Sequence, residues 1–311
     1  MKKYCFGVDV GGTTIKMGLF DTEGNVLDKW EIKTRTENGG ENVLPDIAKA
    51  VEEKISEKNI AKDEVAGVGL GVPGPVDSKG IVHRCVNLGW DVFNVNEKLS
   101  ALLDLPVMAG NDANVAALGE MWKGGGQGYD SLVVVTLGTG VGGGIILEGK
   151  MLTGATGAGG EIGHIHVADG EPEPCGCGNH GCLEQYASAT GIVRLANRRL
   201  ENNTDPTVLV KGNCSAKDVW DAVKAGDAVA IDIAEQFGKY LGEGLAAIAG
   251  VVNPEAFVIG GGVSKAGEVL LSYVEKNYKP VVFHASRDVK FTLATLGNDA
   301  GIFGAAKLVL G

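Results

Sequence analysis

The sequence lacks a long apolar run and any surplus of positive charge. Its longest uncharged stretch, residues 131–147, reads SLVVVTLGTGVGGGIIL, and five glycines fill its second half. That pattern is strand, turn and strand rather than a membrane-crossing helix. The opening MKKYCFGVDVGG is interrupted by Asp9, and Lys16 follows closely, so no export signal is expected. Lysine and arginine number 28 against 39 aspartates and glutamates, a net charge of -11. Binding a phosphate backbone needs a concentrated positive face, so nucleic acid is not an expected partner, nor is a membrane. Cysteine is sparse, six in 311 residues. Without export a disulfide framework is not expected either, and the setting reads as cytoplasmic. Two nucleotide-binding signatures are also missing. No G-x-x-x-x-G-K-[ST] string occurs, and VHRCVN around His83 lacks the aspartate of a protein-kinase H-R-D.

Glycine, in contrast, is abundant at 49 residues. The glycines cluster at the ends of β-branched runs, where they make turns that admit a ligand. A chain of this length suits two domains. It opens with a strand over 4–10, a glycine turn and a returning strand over 16–20. A helix follows, with Val43, Ile47, Val51 and Ile55 on one face. The string VVVTLGTGVGGGIIL superimposes on FGVDVGGTTIKMGLF when Gly138 is laid on Gly11. A later helix carries Val229, Ile233, Phe237, Leu241, Leu245 and Ile248 on one stripe and leads into the strand and turn FVIGGGVSKAG. A repeated strand–turn–strand unit points to two similar α/β domains, and clefts between such domains are favoured ligand sites.

The first hairpin tip, DVGGTTIK, leaves the backbone N–H groups of Gly11 and Gly12 unhindered. With the Thr13 hydroxyl they can face phosphate oxygens. Asp9 suits a Mg²⁺ ion held through water, and Lys16 can neutralise phosphate; a plain hairpin would use the same residues. GTGVGG at 138–143 matches G-x-G-x-x-G, and Glu161 lies at the distance of a ribose-binding acid. No helix follows it, however, and Pro73 and Pro75 break the second match, GLGVPG at 69–74. A dinucleotide reading therefore fails. In GNDANVAALGE, Asp112 stands at the mouth of a helix, the usual place for an N-cap. CGCGNHGCLE spaces Cys175, Cys177 and Cys182 as C-x-C-x₄-C. Three thiolates and one imidazole complete a tetrahedral structural zinc site. By spacing, His164, His166 and His180 are rival fourth ligands.

DVGGTTIK, GVPGPV, VNLGW, GNDANVAALGE, LGTGVGGGII, GAGGEIGH, CGCGNHGCLE, IGGGVS and LGNDAGIFGAA occur in that order over essentially the whole chain. Together they resemble the ROK family, which holds bacterial sugar kinases and related repressors. The resemblance implies an α/β, two-domain actin-like ATPase (ribonuclease H-like) fold with duplicated β-hairpin phosphate loops and an interdomain cleft. The expected division is 1–110 with 299–311, and 111–298 carrying the zinc loop. The strings look most like the family's glucose-phosphorylating branch, implying transfer from ATP to the 6-hydroxyl of glucose. By that resemblance Asp112 is the general base. Gly74, Asn87, Asn111, Asp112, Glu161, His164 and Glu184 bind sugar. Asp9, Gly11, Gly12, Thr13, Lys16, Gly138, Thr139 and Gly140 serve the phosphates, and Gly261 and Gly262 lie near the adenosine. His164 joins Cys175, Cys177 and Cys182 on the metal. The implied cofactors are ATP, catalytic Mg²⁺ and structural Zn²⁺, and the implied assembly is a homodimer or homotetramer. Kinases for fructose, mannose, allose, N-acetylmannosamine and N-acetylglucosamine share the pattern, and polyphosphate is an alternative donor. Repressors of the family place a helix-turn-helix before the first D-x-G-G-T string, which begins here at Asp9. With the acidic composition, a DNA-binding role is not expected.

Overall fold

The computed structural model describes all 311 residues, which form two compact units. The first comprises Met1–Gly128, Gly144–Gly160 and Leu296–Gly311; the second comprises Tyr129–Gly143 and Glu161–Thr295. The first unit thus runs past residue 110 and also takes in 144–160.

In the first unit, β1 (Tyr4–Val10) turns back into β2 (Thr14–Asp21), which pairs with the edge strand β3 (Val26–Lys33). β4 (Val65–Val72) lies parallel to β1. After a short ribbon of β5 (Ile81–Val82) and β6 (Phe93–Asn94), β7 (Val107–Asn111) lies parallel to β4. The sheet order is β3-β2-β1-β4-β7. One face is covered by the helix Val43–Glu57, whose Val43, Ile47 and Val51 are fully buried and whose Ile55 packs partly buried beside them. The C-terminal helix Ala300–Leu310 returns to this unit and lies against β1 and β4. Glycine makes that approach possible. A Cβ on Gly7 would stand 1.9 Å from the Ile302 carbonyl oxygen, and one on Gly69 would stand 1.8 Å from that of Ala305.

In the second unit, β8 (Leu132–Leu137) turns at 138–140 into β9 (Val141–Leu147), and the boundary between units falls inside β9. β9 leads to β10 (Lys150–Met151), in the 144–160 segment of the first unit; with β11 (Ala256–Gly260) and β12 (Lys290–Leu293) of the second, the sheet order is β10-β9-β8-β11-β12. β11 is parallel to both β8 and β12. Position for position, this repeats the first sheet: an edge strand, a hairpin, then two parallel strands. The α/β expectation and the duplicated hairpin both hold. The helix Ala228–Val252 buries the expected stripe from Val229 to Ile248. It crosses the helix Glu268–Tyr278 closely through Gly238 and Gly242, which face the backbone of residues 273–278. No helix is long and apolar enough to cross a membrane.

Candidate functional site

In the first unit the expected residues gather at the carboxyl ends of β1, β4 and β7, where open α/β sheets bind ligands. Asp9 ends β1 opposite Lys16, and its half-buried carboxyl is pushed up to about 6. Burial is the main cause; the Asp112 charge adds to it and Lys16 opposes it. The Lys16 ammonium donates to the Asn298 carbonyl at 3.0 Å. Gly12 and Thr13 are exposed at the hairpin tip, which closes through a Gly11 N–H bond to the Thr14 carbonyl at 3.0 Å. Thr34 braces the tip from behind, its hydroxyl donating to the Gly11 carbonyl at 2.7 Å.

The cap of the helix Asp112–Lys123 is Asn111, not Asp112. The Asn111 side-chain oxygen accepts from Ala113 N at 3.0 Å and Asn114 N at 3.2 Å, while its Nδ2 donates to the Gly74 carbonyl at 3.3 Å. Asp112 is then the first residue of the helix, half-buried, with Oδ1 accepting from Ala113 N at 2.8 Å. Gly74 packs against Cys85, where an added Cβ would meet the Cys85 Cβ at 3.2 Å. Asn87 lies on the turn Val86–Leu88 with its side chain exposed.

In the second unit, His164, Cys175, Cys177 and Cys182 bring one ligand atom each within 4.8 Å of the others. Cys177 and Cys182 sulfurs are 3.7 Å apart, and Cys175 Sγ lies 3.7 Å from His164 Nδ1. A tetrahedron built on ~2.3 Å Zn–S bonds has an edge of about 3.8 Å, so these two pairs already stand at the spacing a zinc ion needs. The rival histidines are engaged elsewhere. His166 bridges the His180 carbonyl (2.9 Å) and Asp169 (3.0 Å), and His180 Nδ1 meets the Glu171 carbonyl at 2.8 Å. Burial pushes the Cys175 thiol up to about 12, a cost that binding a dication offsets.

Two acids flank the imidazole. Glu161 Oε2 is 3.9 Å from His164 Nε2, and Glu184 Oε1 is 3.8 Å from Nδ1 and 2.9 Å from Cys175 Sγ. A metal bound at Nδ1, which faces the sulfurs, would leave Nε2 as an N–H donor on the Glu161 side. The turn 138–140 abuts the same group, since a Cβ on Gly140 would fall 2.5 Å from Glu184 Oε2. Gly261, at φ +84, follows β11 and lies against the Leu137 carbonyl, 2.4 Å from where its Cβ would be. Gly262 beside it lines a cavity of about 350 Å³ with Ala189, Trp220, Val263 and Ala266.

Three residues of this unit escaped the sequence reading. Glu171, with no exposed side-chain surface, accepts two bonds from Arg198 (3.0 and 2.8 Å) and one from the Tyr186 hydroxyl (2.5 Å). The Arg198 guanidinium, helped by Tyr186, holds the Glu171 carboxyl down to about 2. This lock fastens the loop that carries the cysteines to the helix Ala189–Arg199. Only the E-P-E-P run around it was visible beforehand, and nothing in that run marks which acid is buried.

A family profile described as "ROK family" matches residues 5–311. A protein of Halalkalibacterium halodurans named glucokinase is 44% identical over 99% of this chain and 95% of its own length. A glucokinase of Streptomyces coelicolor is 38% identical over 97% and 96%. Among solved structures, a ROK family glucokinase from Streptomyces griseus, in complex with glucose and AMPPNP, superimposes with a TM-score of 0.72 at 35% identity, covering 98% of each chain. The chain belongs to the ROK family.

Proposed function

We propose that the protein transfers the γ-phosphoryl group of ATP to the 6-hydroxyl of glucose. The observation that carries this reading is the acid–imidazole–acid group Glu161, His164 and Glu184, built on a four-ligand metal set. It stands in a chain matched end to end by relatives named glucokinases. Each buried sugar hydroxyl needs a donor and an acceptor. Glu161 and Glu184 supply acceptors, and His164 Nε2–H supplies a donor. Zinc, when bound, provides a closed junction that fixes the tautomer and aim of His164 and no chemistry of its own.

Phosphoryl transfer depends mostly on alignment and charge neutralisation. Asp112 orients the 6-hydroxyl and accepts its proton as the bond to phosphorus forms and the bond to the ADP leaving oxygen breaks. Gly11, Gly12 and Thr13 on one hairpin, and Gly138, Thr139 and Gly140 on the other, offer backbone and hydroxyl donors to phosphate oxygens. Asp9 suits water-mediated Mg²⁺, whose charge would relieve the repulsion from Asp112 that raises it. Gly261, Gly262 and the cavity around Trp220 would take the nucleoside; the buried Trp220 Nε1 has no protein acceptor. All six cysteines are unpaired thiols, which suits the cytoplasm, where ATP is also found.

A coupled ADP-release assay over hexoses and N-acetylhexosamines, run with ATP and with polyphosphate, tests this. The highest kcat/KM is expected for glucose with ATP. A better sugar would overturn the glucose assignment, and no ADP release with any sugar would overturn the kinase reading. Asp112→Asn should fold and bind glucose but lose kcat by at least about 10²-fold. Turnover like that of the wild type would remove Asp112 from the role of base.

A further inference from the structure

The turn 138–140 is held by the segment that leaves the metal loop. Ala189 N donates to the Gly138 carbonyl at 2.8 Å, and the Thr190 hydroxyl donates to the Thr139 carbonyl at 2.7 Å. A peptide unit is planar and trans, so its C=O and the following N–H point in opposite directions. Anchoring the Gly138 carbonyl on Ala189 therefore turns the Thr139 N–H the other way. Anchoring the Thr139 carbonyl on Thr190 does the same to the Gly140 N–H. Two successive N–H groups are aimed by two bonds to one short segment.

That segment is continuous with the metal site. Ser188 is fully buried. Its hydroxyl donates to the Glu184 carbonyl at 2.6 Å, lies 2.9 Å from the Thr190 hydroxyl and caps the helix by accepting from Gly191 N at 2.9 Å. Glu184 in turn follows Cys182 by two residues and contacts Cys175. With both hydroxyl hydrogens so committed, Ser188 and Thr190 touch without sharing a proton, and the path from the sugar-site acid to the glycine turn runs through the Ser188–Glu184 bond and then the backbone of residues 188–190. The turn and this segment also share the wall of a cavity of about 320 Å³ lined by Thr139, Gly140, Cys175, Glu184, Thr190 and Arg194.

We propose that Thr190 is a positioning residue that aims the Gly140 N–H of the 138–140 turn at phosphate and passes the order of the metal loop on to that turn. The proposal rests on the reading of this turn as a phosphate cradle. Its consequence is that a metal held by His164, Cys175, Cys177 and Cys182 would bear on the phosphate side as well as on Glu161 and Glu184.

Thr190→Val removes the donor while leaving the Ser188 cap in place, and Thr190→Ser restores a hydroxyl. In zinc-loaded Thr190→Val, the KM for ATP should rise about threefold to tenfold, as expected for one hydrogen bond. The KM for glucose should stay within about twofold, and Thr190→Ser should recover the wild-type ATP value. Amide hydrogen exchange of 138–143 gives a readout that needs no turnover. Chelating zinc from the wild type should speed it; in Thr190→Val the Gly140 amide should already be fast with zinc bound and change no further, the Ala189 anchor on the Gly138 carbonyl being untouched. An unaltered ATP KM with wild-type exchange would overturn the proposal. So would an equal rise in both KM values, or a Gly140 amide that still responds to chelation in Thr190→Val. If the wild type phosphorylates no sugar, the functional reading fails, and the exchange comparison still decides the coupling.

Discussion

Asn111 and Asp112 are adjacent, both are good helix caps, and both stand where a strand gives way to a helix. The structure divides the work: the Asn111 amide satisfies two N–H groups of the first turn, and Asp112 is left at the mouth of the helix. A cap contributes about 0.5–2 kcal/mol. Asn111→Ala should therefore lower stability by that amount, and Asn111→Asp should keep most of it, because a carboxylate caps as well as an amide. Asp112→Ala should cost less stability than Asn111→Ala while costing far more activity. Urea unfolding beside the sugar assay separates the two; a larger stability loss at 112 than at 111 would reverse the assignment. The sequence GNDAN could not make this distinction. Two residues of similar chemistry at consecutive positions differ only in which backbone angles each adopts, and neighbours such as Gly74 set those angles from a distance.

At the scale of one loop and one helix, the convergence of the three cysteines was legible and what supports it was not. Cys175, Cys177 and Cys182 are close in sequence, so the glycines between them and the spacing alone indicate convergence. Glu171 is different: its partners Arg198 and Tyr186 reach it only after the helices have packed. Its energetics can be checked by pH. The carboxyl lies near 2 in the folded protein, against an ordinary 4.5, because Arg198 bonds to its charged form. A depressed carboxyl stabilises the fold at pH above its ordinary value, and that stability is lost as pH falls toward 2. The difference corresponds to about 3 kcal/mol, in keeping with the cost of breaking a buried ion pair. Glu171→Gln should thus be less stable than the wild type by about 3 kcal/mol at pH 7. The gap should narrow below roughly pH 4.5 and nearly close by pH 2. Urea midpoints of metal-free protein across that range give the comparison, and a gap independent of pH would mean the carboxylate is not what Arg198 holds.

For the whole molecule, two sheets of the same strand order are the main consequence of the repeated hairpin string, and the repeat was readable because glycine turns fix their flanking strands locally. The chain path was less readable. It passes between the two units at 128–129, 143–144, 160–161 and 295–296, so the first unit is completed only by its last helix. That helix docks through glycines far away in sequence, and Gly7 looks from its string like part of a plain strand. The packing of the first unit is therefore completed by the C-terminal helix, whose backbone fills the room left by Gly7 on β1 and Gly69 on β4. Gly7→Ala should show this. Its methyl would fall 1.9 Å from the Ile302 carbonyl oxygen, and a helix backbone cannot swing aside as a side chain can. The whole helix must shift, with a loss of about 1–3 kcal/mol or more. Gly12→Ala is the matched control, because nothing lies within 4 Å of its added carbon. Its stability should stay within about 0.5 kcal/mol of the wild type, while its ATP KM rises because the methyl stands where phosphate would approach. Thermal unfolding of both variants measures the contrast. Equal stability for the two would mean that the C-terminal helix is free to adjust, and that the first unit does not depend on close contact at Gly7.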